Sequence, residues 1–185
     1  MSPSIVGLWY RGSGIRRFHT LPMQFPDSVG QHSGGVAFLI YYLLCGIVED
    51  TLLCRYMAAA LVHDLPEYKT GDIPSPTKSV LGRQELGVME RTYVHENDPK
   101  GLLRRAFADA DEGAAALTLA DALDGTVRAA IELRAENTDF KEAYRNYVRF
   151  SEERIGVVQK MYPEAAQRAQ VVLHYAHTIA HGAAL

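Results

Sequence analysis

Four side chains in this sequence carry the donor types that hold a divalent cation: His32, the adjacent pair His63-Asp64, and Asp121. Two imidazoles and two carboxylates make a mixed nitrogen and oxygen set. Such a set suits Mn, Co, Fe, Zn or Mg, and it contains no thiolate to narrow the choice. Asp121 lies inside "LTLADALDG", flanked by Leu119, Ala120, Ala122 and Leu123. A carboxylate among such neighbours is costly unless it is ion-paired, hydrogen-bonded or bound to a metal. His63 and Asp64 end an apolar helical run in "ALVHDLPEYKTGDIPSPTK", residues 60–78. Successive side chains on a straight helix point about 100° apart, so both can reach one ion only where the backbone turns at the helix end. Taken singly, each residue is ordinary. A lone His is more often a core or capping residue than a ligand, by roughly three to one. The joint pattern is what raises the expectation of a metal site.

The elements that must position these residues read as helices. Residues 1–27 are rich in Gly, Pro and Ser and read as extended loop. Ser28, with Gln31 three residues later, forms a capping-box pattern that starts a helix running to about Gly46 through "VAFLIYYLLC". That helix is apolar nearly all round, which predicts a central position. A second helix is expected from Glu49 to about Tyr68, broken by "KTGDIPSP", because Gly and two Pro residues cannot continue it. Further helices are expected over Pro76–Asn97, Pro99–Phe107, Gly113–Asn137, Asp139–Met161 and Pro163–Ala183. No strand run, fixed-period repeat or low-complexity tract is legible. The expectation is an all-α chain of about six helices with no sheet.

Composition bounds the function. The 185 residues suffice for one domain, and 48% hydrophobic with 22% charged is ordinary for a soluble globular protein. A formal net charge of −3 argues against a broad nucleic-acid footprint, which needs a basic face. It leaves room for a small pocket with one Arg and one Lys. Cys45 and Cys54 lack CxxC spacing and read as buried, inert thiols in a reducing cytosol. No signal-peptide pattern opens the chain, and the longest apolar run, Val36–Val48, is interrupted by Gly46 and too short for a bilayer. A cytoplasmic location, with no membrane partner, is the expectation.

The order His32, His63-Asp64, Asp121 resembles the H…HD…D pattern of HD-domain metal-dependent phosphohydrolases. The similarity extends further. "HDLPEYKTGDIPSPTK" resembles the HDxxExxTGDxPxPxK segment of the bacterial 5'-deoxynucleotidase branch, and "RRFHTLP…VGQHS" resembles the opening of related phage dATP triphosphohydrolases. Gln31 stands where Glu is common in the relatives. The resemblance covers about residues 16–137, which implies one HD domain over 1–185 with that motif-bearing core and C-terminal helices over 139–183.

The resemblance implies roles residue by residue. His32, His63, Asp64 and Asp121 match the ligands of one divalent ion (Co, Mn, Zn or Mg). Glu67 matches the acidic residue that handles the attacking water, and Asp64 is counted with it as catalytic. Arg17 matches a phosphate-binding arginine, with Arg16 as the neighbour in an alternative register. Phe18 matches an aromatic that packs on the sugar and disfavours a 2'-hydroxyl. Asp72 matches an acceptor for the sugar 3'-hydroxyl, and Lys78 a lysine near the phosphates. Thr20 and Pro76 are expected to shape a purine slot. The chemistry is coherent: a metal lowers the pKa of bound water, cations neutralise phosphate charge, and a carboxylate moves the proton.

The activity so implied is hydrolysis of deoxynucleoside triphosphates, dATP favoured, to deoxynucleoside and triphosphate. The alternative is a 5'-deoxynucleotidase acting on monophosphates. A different class is a non-catalytic nucleotide-binding module, against which stands the intact ligand set. The partners expected are a deoxynucleotide and other copies of the chain, as a dimer or hexamer, in the host cytoplasm if the protein is phage-encoded. His174, His177 and His181 share a helical face at i, i+3 and i+7. They lie outside the resembling region with no carboxylate among them, and a dipole-facing role near a helix end is preferred to a second metal site. Asp124 and Arg128 are expected to support the site or to pair with each other across a turn. His19 and His95 receive no catalytic role.

Overall fold

A computed structural model of the protein describes residues 5–72 and 110–182. The described chain is helical: α1 (Ile5–Ser13), α2 (Val29–Leu44), α3 (Asp50–Val62), the short α4 (Glu67–Thr70), α5 (Ala110–Arg134), a 3-10 turn (Thr138–Phe140), α6 (Lys141–Val158) and α7 (Pro163–His181). Six of these helices have nine residues or more. No strand occurs among the described residues; the isolated bridges Arg16↔Ser28 and Cys45↔Val48 are the only sheet-like pairings there. The all-α expectation holds. The expected helices over Pro76–Asn97 and Pro99–Phe107, and with them Pro76, Lys78 and His95, lie outside the described residues.

Helix α5 is the axis. It packs against α6, α7 and α2, and α2 packs in turn on α3. Val36, Ile40, Leu43, Leu119, Leu123 and Ala169 are fully buried where these helices meet. Each such Leu or Ile contributes roughly 1.5–3 kcal/mol relative to exposure. Gly113 permits a close approach, because a Cβ there would run into the ring of Tyr56.

Several local expectations are corrected. Residues 5–13 form a helix, because Leu8 seals into a satellite core with Leu65. Gly and Ser in that segment signalled loop, but tertiary burial outweighs propensity. The second helix stops at Val62 rather than Tyr68. Pro66 lacks the N–H needed to continue it, so the chain turns at 63–66 and restarts as α4 at Glu67. Helix α2 is central, yet Phe38 and Tyr41 project outward and are 63% and 46% exposed. Cys54 is exposed rather than buried, on the outward face of α3. Ser28 caps α2 as expected, accepting from the Gln31 N–H at 3.3 Å. Among the described residues no helix is long and apolar enough to cross a membrane.

Candidate active site

The turn after α3 and the inner face of α5 bring the four chosen residues to the first turn of α2. His32 Nε2 lies 3.1 Å from Asp121 Oδ1 and 3.3 Å from Asp64 Oδ2. His63 Nε2 lies 3.4 Å from Asp64 Oδ1, and the two imidazole rings are 5.2 Å apart. One ligand atom each from His32, His63 and Asp121 falls within 4.8 Å of the others. The break of α3 at Val62 is what lets both His63 and Asp64 face this point. Asp121 is less enclosed than its apolar neighbours suggest: its side chain is 38% exposed, opening into the site, against 0% for His32.

The outer nitrogens fix the tautomers. His63 Nδ1 donates to the Ala60 carbonyl oxygen at 2.7 Å, and His32 Nδ1 donates to Asp124 Oδ2 at 2.7 Å. A carbonyl oxygen only accepts, so the His63 proton sits on Nδ1 and its Nε2 lone pair points into the cluster. Both Nε2 atoms are buried and neither has a hydrogen-bond partner, although His32 Nε2 is close to two carboxylates: it is in line with neither. Two bare imidazole nitrogens with the Asp121 carboxylate form a donor set that fits a divalent cation; Asp64, expected as the fourth ligand, touches both imidazoles but lies outside this group of three. Without an ion, a proton takes that place. Burial disfavours a charged His32, but the contacts to Asp121, Asp124 and Asp64 outweigh burial and push it up to about 11. Burial raises the Asp64 carboxyl, yet His63, His32 and Arg17 together hold it below the ordinary carboxylate range. Asp121 is likewise lowered, against its burial, by His32 and His63.

Arg17 borders this cluster. Its Nη1 lies 3.3 Å from Asp27 Oδ2 and 3.6 Å from Asp124 Oδ2. Burial works against its charge, but Tyr147, Asp121, Asp64 and Asp124 keep the guanidinium charged well above its ordinary range. Asp124 therefore binds His32 and Arg17, while Arg128 faces Asp27 at 3.8 Å. Of the two roles expected for Asp124 and Arg128, this network is the supporting one. Arg16 is exposed. Glu67 is buried at the start of α4.

Phe18 is strained. Its φ of +51° is left-handed, which costs a side-chain-bearing residue roughly 1 kcal/mol or more. Three contacts hold it there. Its N–H donates to Asp72 Oδ2 at 3.0 Å, its carbonyl accepts from Leu21 at 2.9 Å, and its ring packs 5.4 Å from Phe140. The Arg17 guanidinium lies 5.2 Å from the same ring. Asp72 thus commits one carboxylate oxygen to the backbone of Phe18. Thr20 lies exposed in the turn that follows.

Two contributors escaped the sequence reading. Tyr147 on α6 lies edge-on to Phe18 at 6.0 Å, and burial, aided by Asp121 and Asp72, pushes its phenol up against the opposing pull of Arg17. Gly125 makes this possible, since a Cβ there would strike the Tyr147 ring. No short motif marks Tyr147. Glu132 is the second: it is 1% exposed and accepts from the N–H groups of Gln24 and Phe25 and from Asn137 Nδ2. It pins the loop between Phe18 and Asp27. Its setting between Ile131 and Leu133 carries the same signal that flagged Asp121. In the C-terminal stripe, His177 Nδ1 meets the Tyr144 hydroxyl at 2.7 Å.

Comparison with known proteins identifies the family and relatives of this chain. A family model described as 5'-deoxynucleotidase YfbR-like matches residues 9–160. A protein of Salmonella phage PMBT28 named dATP triphosphohydrolase is 37% identical over 91 residues, 44% of this chain and 47% of that protein. One of cyanophage S-2L with the same name is 32% identical over 95 residues, 46% of this chain and 50% of that protein. The chain thus spans about half the length of the curated relatives it matches. The solved cyanophage S-2L HD phosphohydrolase (DatZ), bound to dA and one catalytic Zn2+ ion, superposes with a TM-score of 0.66. That match covers 97% of this chain and 98% of the other at 19% identity, a likeness of fold. The family match takes in most of the chain, including the His32–Asp121 cluster and the loop of Arg17, so the chain belongs to the 5'-deoxynucleotidase YfbR-like family.

Proposed function

We propose that the protein hydrolyses deoxynucleoside triphosphates, dATP foremost, to deoxynucleoside and tripolyphosphate, with all 185 residues acting as one catalytic domain. One observation carries this reading. Ligand atoms of His32, His63 and Asp121 lie within 4.8 Å of one another, with the buried Arg17 guanidinium beside them. A divalent cation bound at that point lowers the pKa of a coordinated water and polarises a phosphoryl oxygen. The solved cyanophage S-2L phosphohydrolase holds one catalytic Zn2+ ion, which makes Zn the first candidate ahead of Co, Mn and Mg.

The chain's own residues supply the rest. Arg17 presents donors not taken by Asp27 or Asp124, and a guanidinium engages a phosphate in bidentate fashion. Glu67, three residues after Asp64, takes the proton of the attacking water and returns one to the leaving 5'-oxygen. Water adds to the α-phosphorus, the bond from phosphorus to O5' breaks, and the deoxynucleoside leaves with the proton. Phe18 packs on the sugar where a 2'-hydroxyl would find no partner. The second oxygen of Asp72 accepts from the 3'-hydroxyl. By the resemblance in sequence, Lys78 is assigned to the distal phosphates, and Thr20 with Pro76 to the base, with adenine favoured. The partner is the deoxynucleotide; the working form is an oligomer in the cytoplasm of the producing cell.

The family's 5'-deoxynucleotidase description favours a second reading, in which dAMP is the substrate and orthophosphate the product. Both follow from attack at the same phosphorus. The test is chromatographic product analysis with dATP, dGTP, ATP and dAMP across Zn, Co, Mn and Mg. Tripolyphosphate from dATP supports the first reading; turnover of dAMP alone replaces it with the second.

A further inference from the structure

On the face of α6 away from the metal site, a groove of about 590 Å³ opens between α6, α7 and the end of α5. Its volume falls within the range of small-molecule sites. Lys141, Arg145 and Arg149 line one side at i, i+4 and i+8, one above another on the helix. Stacked like charges destabilise a helix, and among the described residues no carboxylate lies within ion-pair distance of any of the three. The chain as a whole is acidic, so this row is a local reversal of sign. His177 and His181 face it from α7, their rings stacked at 6.4 Å, and Tyr144 fixes His177 through its hydroxyl. The floor is apolar, from Leu133 and Val148, and Glu152 supplies the one carboxylate in the lining. A cationic rim over an apolar floor suits an amphiphilic anion. On the reverse side, the core that holds Tyr144 also holds Phe140 and the ring of Phe18.

We propose that this groove is a second, non-catalytic anion site that takes a phosphate chain, borne by a nucleoside triphosphate or free as tripolyphosphate, along Lys141, Arg145 and Arg149. Each arginine–phosphate contact is worth roughly 10- to 100-fold in affinity, so reversing two charges empties the groove at micromolar ligand.

The test is equilibrium dialysis of metal-loaded protein against a labelled dATP analogue with a methylene group in place of the 5'-oxygen. Wild type and Arg145→Glu/Arg149→Glu are compared, with metal content and helicity as fold controls that do not depend on the catalysed reaction. The expected result is one equivalent fewer in the double variant with both controls unchanged. Equal stoichiometry overturns the proposal, as does a loss accompanied by lost metal or helicity. Displacement of the extra equivalent by tripolyphosphate identifies the bare phosphate chain as sufficient. Displacement by dATP but not tripolyphosphate identifies the nucleotide as the ligand. Displacement by deoxyadenosine without phosphates overturns the assignment.

Discussion

The Asp124 carboxylate accepts a 2.7 Å hydrogen bond from His32 Nδ1, joining α5 to α2 through two residues 92 apart in sequence. That bond aims the opposite ring nitrogen at Asp64 and Asp121. The same carboxylate oxygen lies 3.6 Å from Arg17, so one group orients both the His32 imidazole and the arginine beside it.

Asp124→Ala is therefore expected to weaken metal binding by roughly 10- to 100-fold while leaving the His63 contacts in place. Competition of bound metal against a chelator measures this. Unchanged affinity in Asp124→Ala removes Asp124 from the support of His32. Gly35→Ala reaches the same carboxylate from the other side, because a Cβ there would meet Asp124 Oδ1. It should mimic Asp124→Ala in metal affinity and cost roughly 1–3 kcal/mol of stability.

Glu67→Gln should retain metal and lower turnover by roughly 10²- to 10⁴-fold, the range of a positioned acid/base. Metal analysis and kcat are measured on one preparation. Turnover equal to wild type would take the proton-transfer role away from Glu67.

Sugar discrimination tests the strained Phe18. Burying an unpaired 2'-hydroxyl costs roughly 1–3 kcal/mol, a preference of about 5- to 150-fold for dATP over ATP in kcat/KM. Phe18→Ala should erase it. Asp72→Ala should reduce it too, since Asp72 holds the Phe18 backbone, whereas Asp72→Asn keeps an acceptor for that N–H and retains more of it. Equal use of ATP and dATP by the wild type would refute the sugar assignment.

Glu132→Ala deprives two backbone N–H groups and the Asn137 amide of their shared acceptor. The expected loss is roughly 2–4 kcal/mol, or about 4–16 °C in Tm, read by thermal unfolding. A change under about 1 °C would mean that water replaces the carboxylate at little cost.

The His32–Asp121 cluster was legible where chemistry and context conflict within a short stretch: a carboxylate in an apolar helix pointed to Asp121. The same test applied to Glu132 would have found the loop clamp. The end of α3 was placed too late, near Tyr68, because the apolar pattern runs on past the His63-Asp64 pair while Pro66 stops the helix at Val62. Tyr147 was not legible: its setting depends on the bare Cα of Gly125, a helix away in sequence, and no spacing rule links them. Helix α1 was missed for a related reason. Its residues look like loop until Leu8 meets Leu65, a pairing that only the tertiary fold creates. Phe18 bears no local sign of strain, because the acceptor that holds it, Asp72, lies 54 residues on.

The most direct test of the central claim is hydrolysis of dATP by the metal-loaded protein in H2-18O, with products resolved by mass spectrometry. Predicted is one tripolyphosphate per deoxyadenosine, with a single 18O in the tripolyphosphate and none in the nucleoside. Asp64→Ala, stripped of a ligand, should give neither product. Release of orthophosphate or pyrophosphate from dATP, label in the 5'-hydroxyl of deoxyadenosine, or full activity in Asp64→Ala would contradict attack at the α-phosphorus in the His32–His63–Asp64–Asp121 site.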